Sequence, residues 1–180
     1  TAATKPQAEA KLATYMNKIG YTDKWIDYTP VSISRSSFYA NNLALRSFRE
    51  RRDIAKIGKP VDRTEWGMTP ATVNAYYNPL MNEILFPAGI MQPPFFDPKA
   101  DDAVNYGGMG AVIGHEMTHG FDDQGAQFDA QGNLRNWWGA SDLEKFKKGT
   151  GLVASQFDGY TVLDSLHVNG KRPLAENLPD

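Results

Sequence analysis

The chain contains no cysteine, which excludes disulfides and thiolate ligands and leaves any metal to histidine and carboxylate side chains. It also lacks the disulfide-dense character of many secreted domains, without fixing a redox compartment. Histidine is scarce, with three in 180 residues, so a regular spacing between any two carries weight. No window approaches the roughly 18 consecutive apolar residues of a membrane span, and no signal-peptide pattern opens the chain. The first residue is Thr1 rather than methionine, which points to processing or truncation ahead of it. An excess of one charge is missing as well. The formal net charge of −2 gives no basis for a nucleic acid or an anionic membrane as partner. No feature of the sequence sets an oligomeric state. Apolar residues at 41% and charged residues at 22% are ordinary for a globular protein, and the length suits one well-buried domain.

Residues 6–20 predict a helix, with Ala8, Leu12 and Met16 at four-residue spacing and Gly20 as its stop. Ser36 or Ser37 caps a second expected helix running to about Lys56, ahead of Gly58 and Pro60. Its Arg46, Arg49, Arg51 and Arg52 interleave with Glu50 and Asp53, the pattern of a solvated face rather than a nucleic-acid patch. Residues 71–77 and 82–86 are β-favouring runs joined through Asn78-Pro79, which fits a hairpin. The proline-rich apolar stretch 87–98 cannot stay helical and is expected to wedge against a core. A helical pattern resumes from Ala103 to about Phe121. Ser141, with Glu144 three residues on, predicts the N-cap of a further helix to about Phe157. Residues 161–168 predict strands with a turn at Asn169-Gly170.

The chemistry concentrates in His115-Glu116-Met117-Thr118-His119. Four residues advance an α-helix about 40° past a full turn, so both imidazoles leave one face with Cβ atoms about 5–6 Å apart. Two ring nitrogens can then reach one zinc ion at about 2.0–2.1 Å. Glu116 sits beside the pair, where it can act on water as a general base without occupying a ligand position. A shuffled chain of this composition would hold roughly 0.002 such matches, so two surface histidines flanking a glutamate by accident is a poor account. The glycines of Gly108-Met-Gly110 and Gly114 superficially suggest a dinucleotide loop. That loop needs a preceding strand, which 101–106 does not provide. Small residues that let this helix pack closely are the better reading.

A catalytic zinc takes three protein ligands and keeps one open position. Asp122 and Gly125 stand where a metzincin would have glycine and histidine. His167, in an expected strand and turn, reads as a structural or surface residue. The third ligand is then a carboxylate. Glu176 and Asp180 are again four apart. If they open a helix, one can bind metal while the other accepts the second N–H of a ligating histidine. Asp122 and Asp123 lie nearer in sequence, and spacing alone does not choose.

Asn74-Ala-Tyr-Tyr-Asn-Pro79, Asn82-Glu-Ile-Leu-Phe-Pro87, Gln92-Pro-Pro-Phe-Phe96, Gly114-His-Glu-Met-Thr-His-Gly-Phe-Asp-Asp123 and Trp137-Trp138 together resemble the neprilysin family of zinc endopeptidases, the M13 peptidases. The likeness runs from about Lys18 to the C-terminus and is closer to the bacterial members. It implies His115, His119 and Glu176 as ligands of one Zn2+, Glu116 as the catalytic base, and Asp180 as the aspartate that orients His115. It also implies Asn74 and Ala75 as an edge that hydrogen-bonds the backbone of an oligopeptide substrate. The fold so implied is mainly α with a small β element, an α+β thermolysin-like zincin of the gluzincin type, with residues 1–180 forming a truncated part of the catalytic domain. The implied activity is endopeptidase hydrolysis through metal-activated water, cutting before bulky apolar residues, in an extracytoplasmic parent protein. The alternative is a zinc-binding module that folds without useful catalysis. Two positions depart from the family pattern. Ala126 replaces a common arginine, and Pro179 replaces an alanine. Proline is tolerated in a first helical turn and damaging further in, so the placement of Glu176 and Asp180 depends on where their helix ends.

Overall fold

A computed structural model describes all residues, 1–180. Its internal contacts divide the chain into two units, Thr22–Gly67 and the combination of Thr1–Tyr21 with Met68–Asp180. The larger unit opens with helix α1, Lys5–Ala13, and strand β1, Met16–Gly20. The expected helix to Gly20 is therefore cut short. The Thr14 hydroxyl bonds back to the Ala10 and Lys11 carbonyls, and the Met16 amide turns to the Asn82 carbonyl. Pairing with a strand takes residues 16–20 out of the helical period. The face of α1 is also inverted, since Lys11 is buried while Leu12 is exposed.

In the smaller unit, helix α2 spans Phe38–Ile54, and the Ser37 hydroxyl accepts the Ala40 amide at 3.1 Å as its N-cap. No residue of α2 is buried. Its arginines join ion pairs such as Arg46–Glu50 and Arg52–Glu65, which agrees with a solvated face.

The larger unit continues with the hairpin of β2, Tyr76–Asn78, and β3, Glu83–Pro87. The strand order is β1-β3-β2, with β3 parallel to β1 (Met16 opposite Glu83) and antiparallel to β2 (Asn78 opposite Glu83). All five residues of β3 are buried: it is the middle strand, paired on both edges, and its Ile84 and Phe86 side chains pack into the core cluster. At the hairpin the Asn78 side chain accepts the Leu80 and Met81 amides. Glu83 is held by Lys18 at 2.6 Å and by the Tyr76 hydroxyl at 2.9 Å, so its burial leaves it paired.

The stretch after β3 forms a 3-10 turn, Ala88–Ile90, whose Ile90 joins the core cluster of Ala75, Ile84, Phe86 and Met109. The helical run that follows has three parts: helix α3, Asp102–Asn105, a π-helical turn, Tyr106–Gly110, and helix α4, Ala111–His119. A Cβ on Gly108 would collide with the Phe95 carbonyl, which also accepts the Met109 amide at 2.8 Å. Close packing thus explains Gly108, whereas Gly114 has open space around it. Val112 and Met117 turn one face of α4 to the core.

Helix α5 spans Ala140–Asp158 with Gly139 as its N-cap, so Ser141 lies inside the first turn rather than at the cap. The Gly139 amide instead donates to the Thr4 hydroxyl. Strands β4, Thr161–Leu163, and β5, Leu166–His167, form a second hairpin. Its turn falls at Asp164, which has φ 44, not at Asn169-Gly170. Gly170 is instead tied to α5, its amide donating to the Asp158 carboxylate at 2.7 Å. Helix α6, Leu174–Asn177, follows.

Leu85 is completely buried in the middle strand. Leu85→Ala is expected to lower stability by about 2–5 kcal/mol, read as a reduced urea midpoint at an unchanged slope. A midpoint that does not move would contradict the central position of β3.

Candidate metal centre

Helix α4 places His115 and His119 on one face, with ring centroids 4.6 Å apart and planes at 89°. Each ring is gripped from behind by a carboxylate. His115 Nδ1 donates to Asp180 Oδ1 at 2.8 Å, and His119 Nδ1 donates to Asp122 Oδ2 at 2.8 Å. An ionised carboxylate only accepts, so these bonds set the proton on Nδ1 and leave each Nε2 lone pair free. Both Nε2 atoms face the same carboxylate oxygen, Glu176 Oε2, at 3.4 Å from His115 and 3.7 Å from His119. Three donors at 2.0–2.1 Å from a tetrahedral ion are separated by about 3.3–3.4 Å, so the two histidine–Glu176 distances are close to the spacing zinc requires.

Glu116 is the second carboxylate in reach. His115, Glu116 and His119 offer ligand atoms within 4.8 Å of one another, but Glu116 Oε2 stands 4.0 Å from His119 Nε2, farther than Glu176. That oxygen is buried and has no hydrogen-bond partner. Burial raises the Glu116 pKa above its ordinary value, opposed by His119 and His115, while Glu176 adds to the rise and a backbone bond from Tyr77 lowers it. A buried carboxylate with one free oxygen is suited to accept a proton.

Glu176 does not open a helix as its spacing suggested. It is the third residue of the four-residue α6, and Pro179 lies beyond the end of that helix. The proline therefore breaks no helical hydrogen bond. The chain is still turning there, with the Asp180 amide 3.4 Å from the Glu176 carbonyl, which returns Asp180 to His115. Both carboxylates are more exposed than the histidines they meet.

Asp122 was open as a metal ligand in the sequence. It instead holds the far side of His119, three residues on, and its other oxygen accepts the Gln124 and Gly125 amides at 2.8 and 2.6 Å. The three-residue offset from His119 was the available signal. Asp123 accepts from the Gln124 side chain. His167 is exposed in β5, 3.4 Å from the Thr161 hydroxyl. Asn74 and Ala75 line the same cavity of about 480 Å3 as His115, Glu116, His119 and Glu176. They immediately precede β2, an edge strand whose only partner is β3.

The turn after α4 is braced by the tryptophan pair of the family motif and by a lysine the sequence did not single out. Trp137 and Trp138 donate their indole N–H groups to the Phe128 and Ala126 carbonyls. Lys11 donates to Gly120, Gly125 and Phe128. Ala126 is buried within this turn.

Residues 74–180 match the model of Peptidase family M13. The chain is 44% identical over 186 residues to the endothelin-converting enzyme homolog of Locusta migratoria, covering 99% of this chain and 25% of that protein. Against neprilysin-11 of Caenorhabditis elegans it is 45% identical, covering 98% of this chain and 22% of the relative. The crystal structure of the Mycobacterium tuberculosis zinc metalloprotease Zmp1 with an inhibitor superposes with a TM-score of 0.94 at 50% identity, over 99% of this chain and 28% of that one. The chain thus spans about a quarter of the length of the relatives it matches.

The Asp122 bond, as the largest cause, raises the His119 pKa above 6.5, with burial opposing it. In the metal-free chain the stability from this pair is full below about pH 6.5 and is lost as pH rises through the raised value. The His119 ring proton resonances are expected to titrate above 6.5, and in Asp122→Asn to move down toward the ordinary value. A midpoint indifferent to that substitution would remove Asp122 as the cause.

Proposed function

The chain belongs to peptidase family M13, and from that membership we propose that it supplies the zinc centre of an endopeptidase acting on oligopeptides. One observation carries the reading: two Nε2 atoms converge on Glu176 Oε2 at 3.4 and 3.7 Å while carboxylates occupy both Nδ1 atoms. His115, His119 and Glu176 are the ligands of one Zn2+ in this reading, and Asp180 and Asp122 orient the two rings. A carboxylate as third ligand makes the domain a thermolysin-like gluzincin, with residues 1–180 as part of a larger catalytic domain.

Zinc bound there supplies a Lewis acid that polarises the scissile carbonyl and lowers the pKa of water to about 7. Glu116 takes a proton from the attacking water through its unpartnered Oε2 and returns it to the leaving amine nitrogen. The water oxygen adds to the carbonyl carbon and the C–N bond then breaks, the nitrogen taking up both water protons, leaving a carboxylate and an ammonium group. Asn74 and Ala75 immediately precede β2, an outer strand of the sheet, where a substrate backbone can add as a further strand. An extracytoplasmic parent protein, periplasmic or secreted, is part of this reading and is supported by the family membership. No helix of the structure is long and apolar enough to cross a membrane.

Glu116→Gln is expected to keep zinc and to lose at least about a hundredfold in hydrolysis of a quenched fluorescent peptide. Unchanged turnover would sink its role as base. Glu176→Ala is expected to weaken zinc by more than the roughly 10–100-fold typical of an outer partner; unchanged affinity would place the third ligand elsewhere. Zinc bound without turnover by the unaltered chain would favour the non-catalytic binding module.

A further inference from the structure

We propose that Lys11 is a positioning residue of the metal centre, its ammonium holding the backbone turn that carries Asp122 and, through Asp122, the His119 ring. This inference rests on the zinc reading above. Lys11 is 1% exposed and comes from α1, more than a hundred residues away in sequence. An ammonium has three N–H donors and no acceptor. Here its Nζ meets three carbonyl oxygens, Gly120 at 2.6 Å, Gly125 at 2.7 Å and Phe128 at 2.7 Å. The rings of Tyr77, Phe121 and Trp137 surround it at 5.5–5.8 Å from their centroids, where cation–π attraction offsets part of the lost hydration.

The path to the metal is short. Gly120 directly follows His119 and caps α4. Gly125 is held at both ends: its carbonyl accepts from Lys11 and its amide donates to Asp122 Oδ1 at 2.6 Å. The other Asp122 oxygen accepts His119 Nδ1–H. Lys11, Gly125, Asp122 and His119 thus form one unbroken series of contacts ending on a ligating ring. The opposite end is anchored too. Buried Asn82 donates to the Lys11 carbonyl and accepts the Tyr77 hydroxyl, and Tyr77 gives its backbone bond to Glu116. Removing the Lys11 charge takes a charged donor from three inward-facing carbonyls in the turn that sets the Asp122 position. Phe128 keeps the Trp137 indole and Gly125 keeps the Phe128 amide, but the bond that ties them to Gly120 is lost, so the turn must repack. Arginine cannot substitute, because its planar fork does not converge on three carbonyls as a tetrahedral ammonium does.

A staple that merely stabilises the fold would also contact several carbonyls, so the test must separate the two roles. Lys18 provides the control. It is buried in the same unit and pairs with Glu83 of the sheet at 2.6 Å. Zinc affinity is measured by competition with a chromophoric chelator on the full chain, together with the visible spectrum of the cobalt(II) form and the thermal midpoint. Lys11→Met and the milder Lys11→Gln are expected to weaken zinc by about tenfold or more and to alter the cobalt spectrum. Lys18→Met is expected to lower the thermal midpoint with zinc affinity unchanged. Zinc bound as tightly by the Lys11 variants as by the unaltered chain, or an equal loss in Lys18→Met, would overturn the proposal. If neither Lys11 variant folds, amide exchange in the unaltered chain decides it. Zinc should slow exchange at Gln124, Gly125 and Ala126, and indifference there counts against Lys11. His119→Ala keeps the two readings apart. An unaltered chain whose zinc affinity does not fall on that substitution fails the metal centre itself. Normal zinc binding with indifferent Lys11 variants fails only this inference.

Discussion

Two imidazoles on one helix face meet at a point only if something turns each ring and holds it there. A helix sets the separation of the rings and leaves their rotation free, since the terminal ring torsion of histidine is broad. In this chain the rotation is taken up by two Nδ1–carboxylate bonds, one from Asp122 and one from Asp180. Both lie C-terminal to the histidines they hold, one just after α4 and the other more than sixty residues on. The remaining architecture can be understood as what keeps those two carboxylates in place.

On the Asp122 side the means are polar and buried. Lys11, Asn82, Glu83, Asp122 and Asp129 are all withdrawn from solvent, in positions where an ordinary small domain would have leucine or valine. Such burial is tolerable only when each group is satisfied. Lys11 meets three carbonyls, Asn82 meets Lys11, Thr14 and Tyr77, and Asp129 accepts the Gln131 and Asn133 amides. A satisfied polar network specifies one geometry more sharply than an apolar contact does, because its bonds are directional. The Asp180 side is held differently, by a four-residue helix and a turn containing proline, with both of its acidic side chains largely exposed.

Much of the local structure was legible from residue pattern. The Ser37 cap, the hairpin through Asn78-Pro79 and the helix bearing His115 and His119 all follow from short-range chemistry. Residues 16–20 did not, because the strand they form depends on β3, some seventy residues away, and Met16 satisfies a helical spacing equally well. Ser141 resembled a cap but lies inside α5, since Gly139 already occupies that position and donates to Thr4. The buried face of α1 was missed for a related reason. Periodicity seeks apolar stripes, and this helix buries its lysine.

By itself the sequence determined the chemistry of the centre: absent cysteine confines the donors to nitrogen and oxygen, and the spacing of His115, Glu116 and His119 follows from helical pitch alone. Tertiary structure decided which carboxylates serve it and how. Glu176, Asp180, Asp122 and Asp123 are interchangeable as letters, and spacing cannot rank them, because their roles depend on which imidazole nitrogen each one faces. Once the chain has folded, Asp122 and Asp180 lie behind the rings and Glu176 in front. Lys11 shows the same limit from farther away. Nothing in its local sequence marks it, and only the fold gathers three carbonyls around its charge.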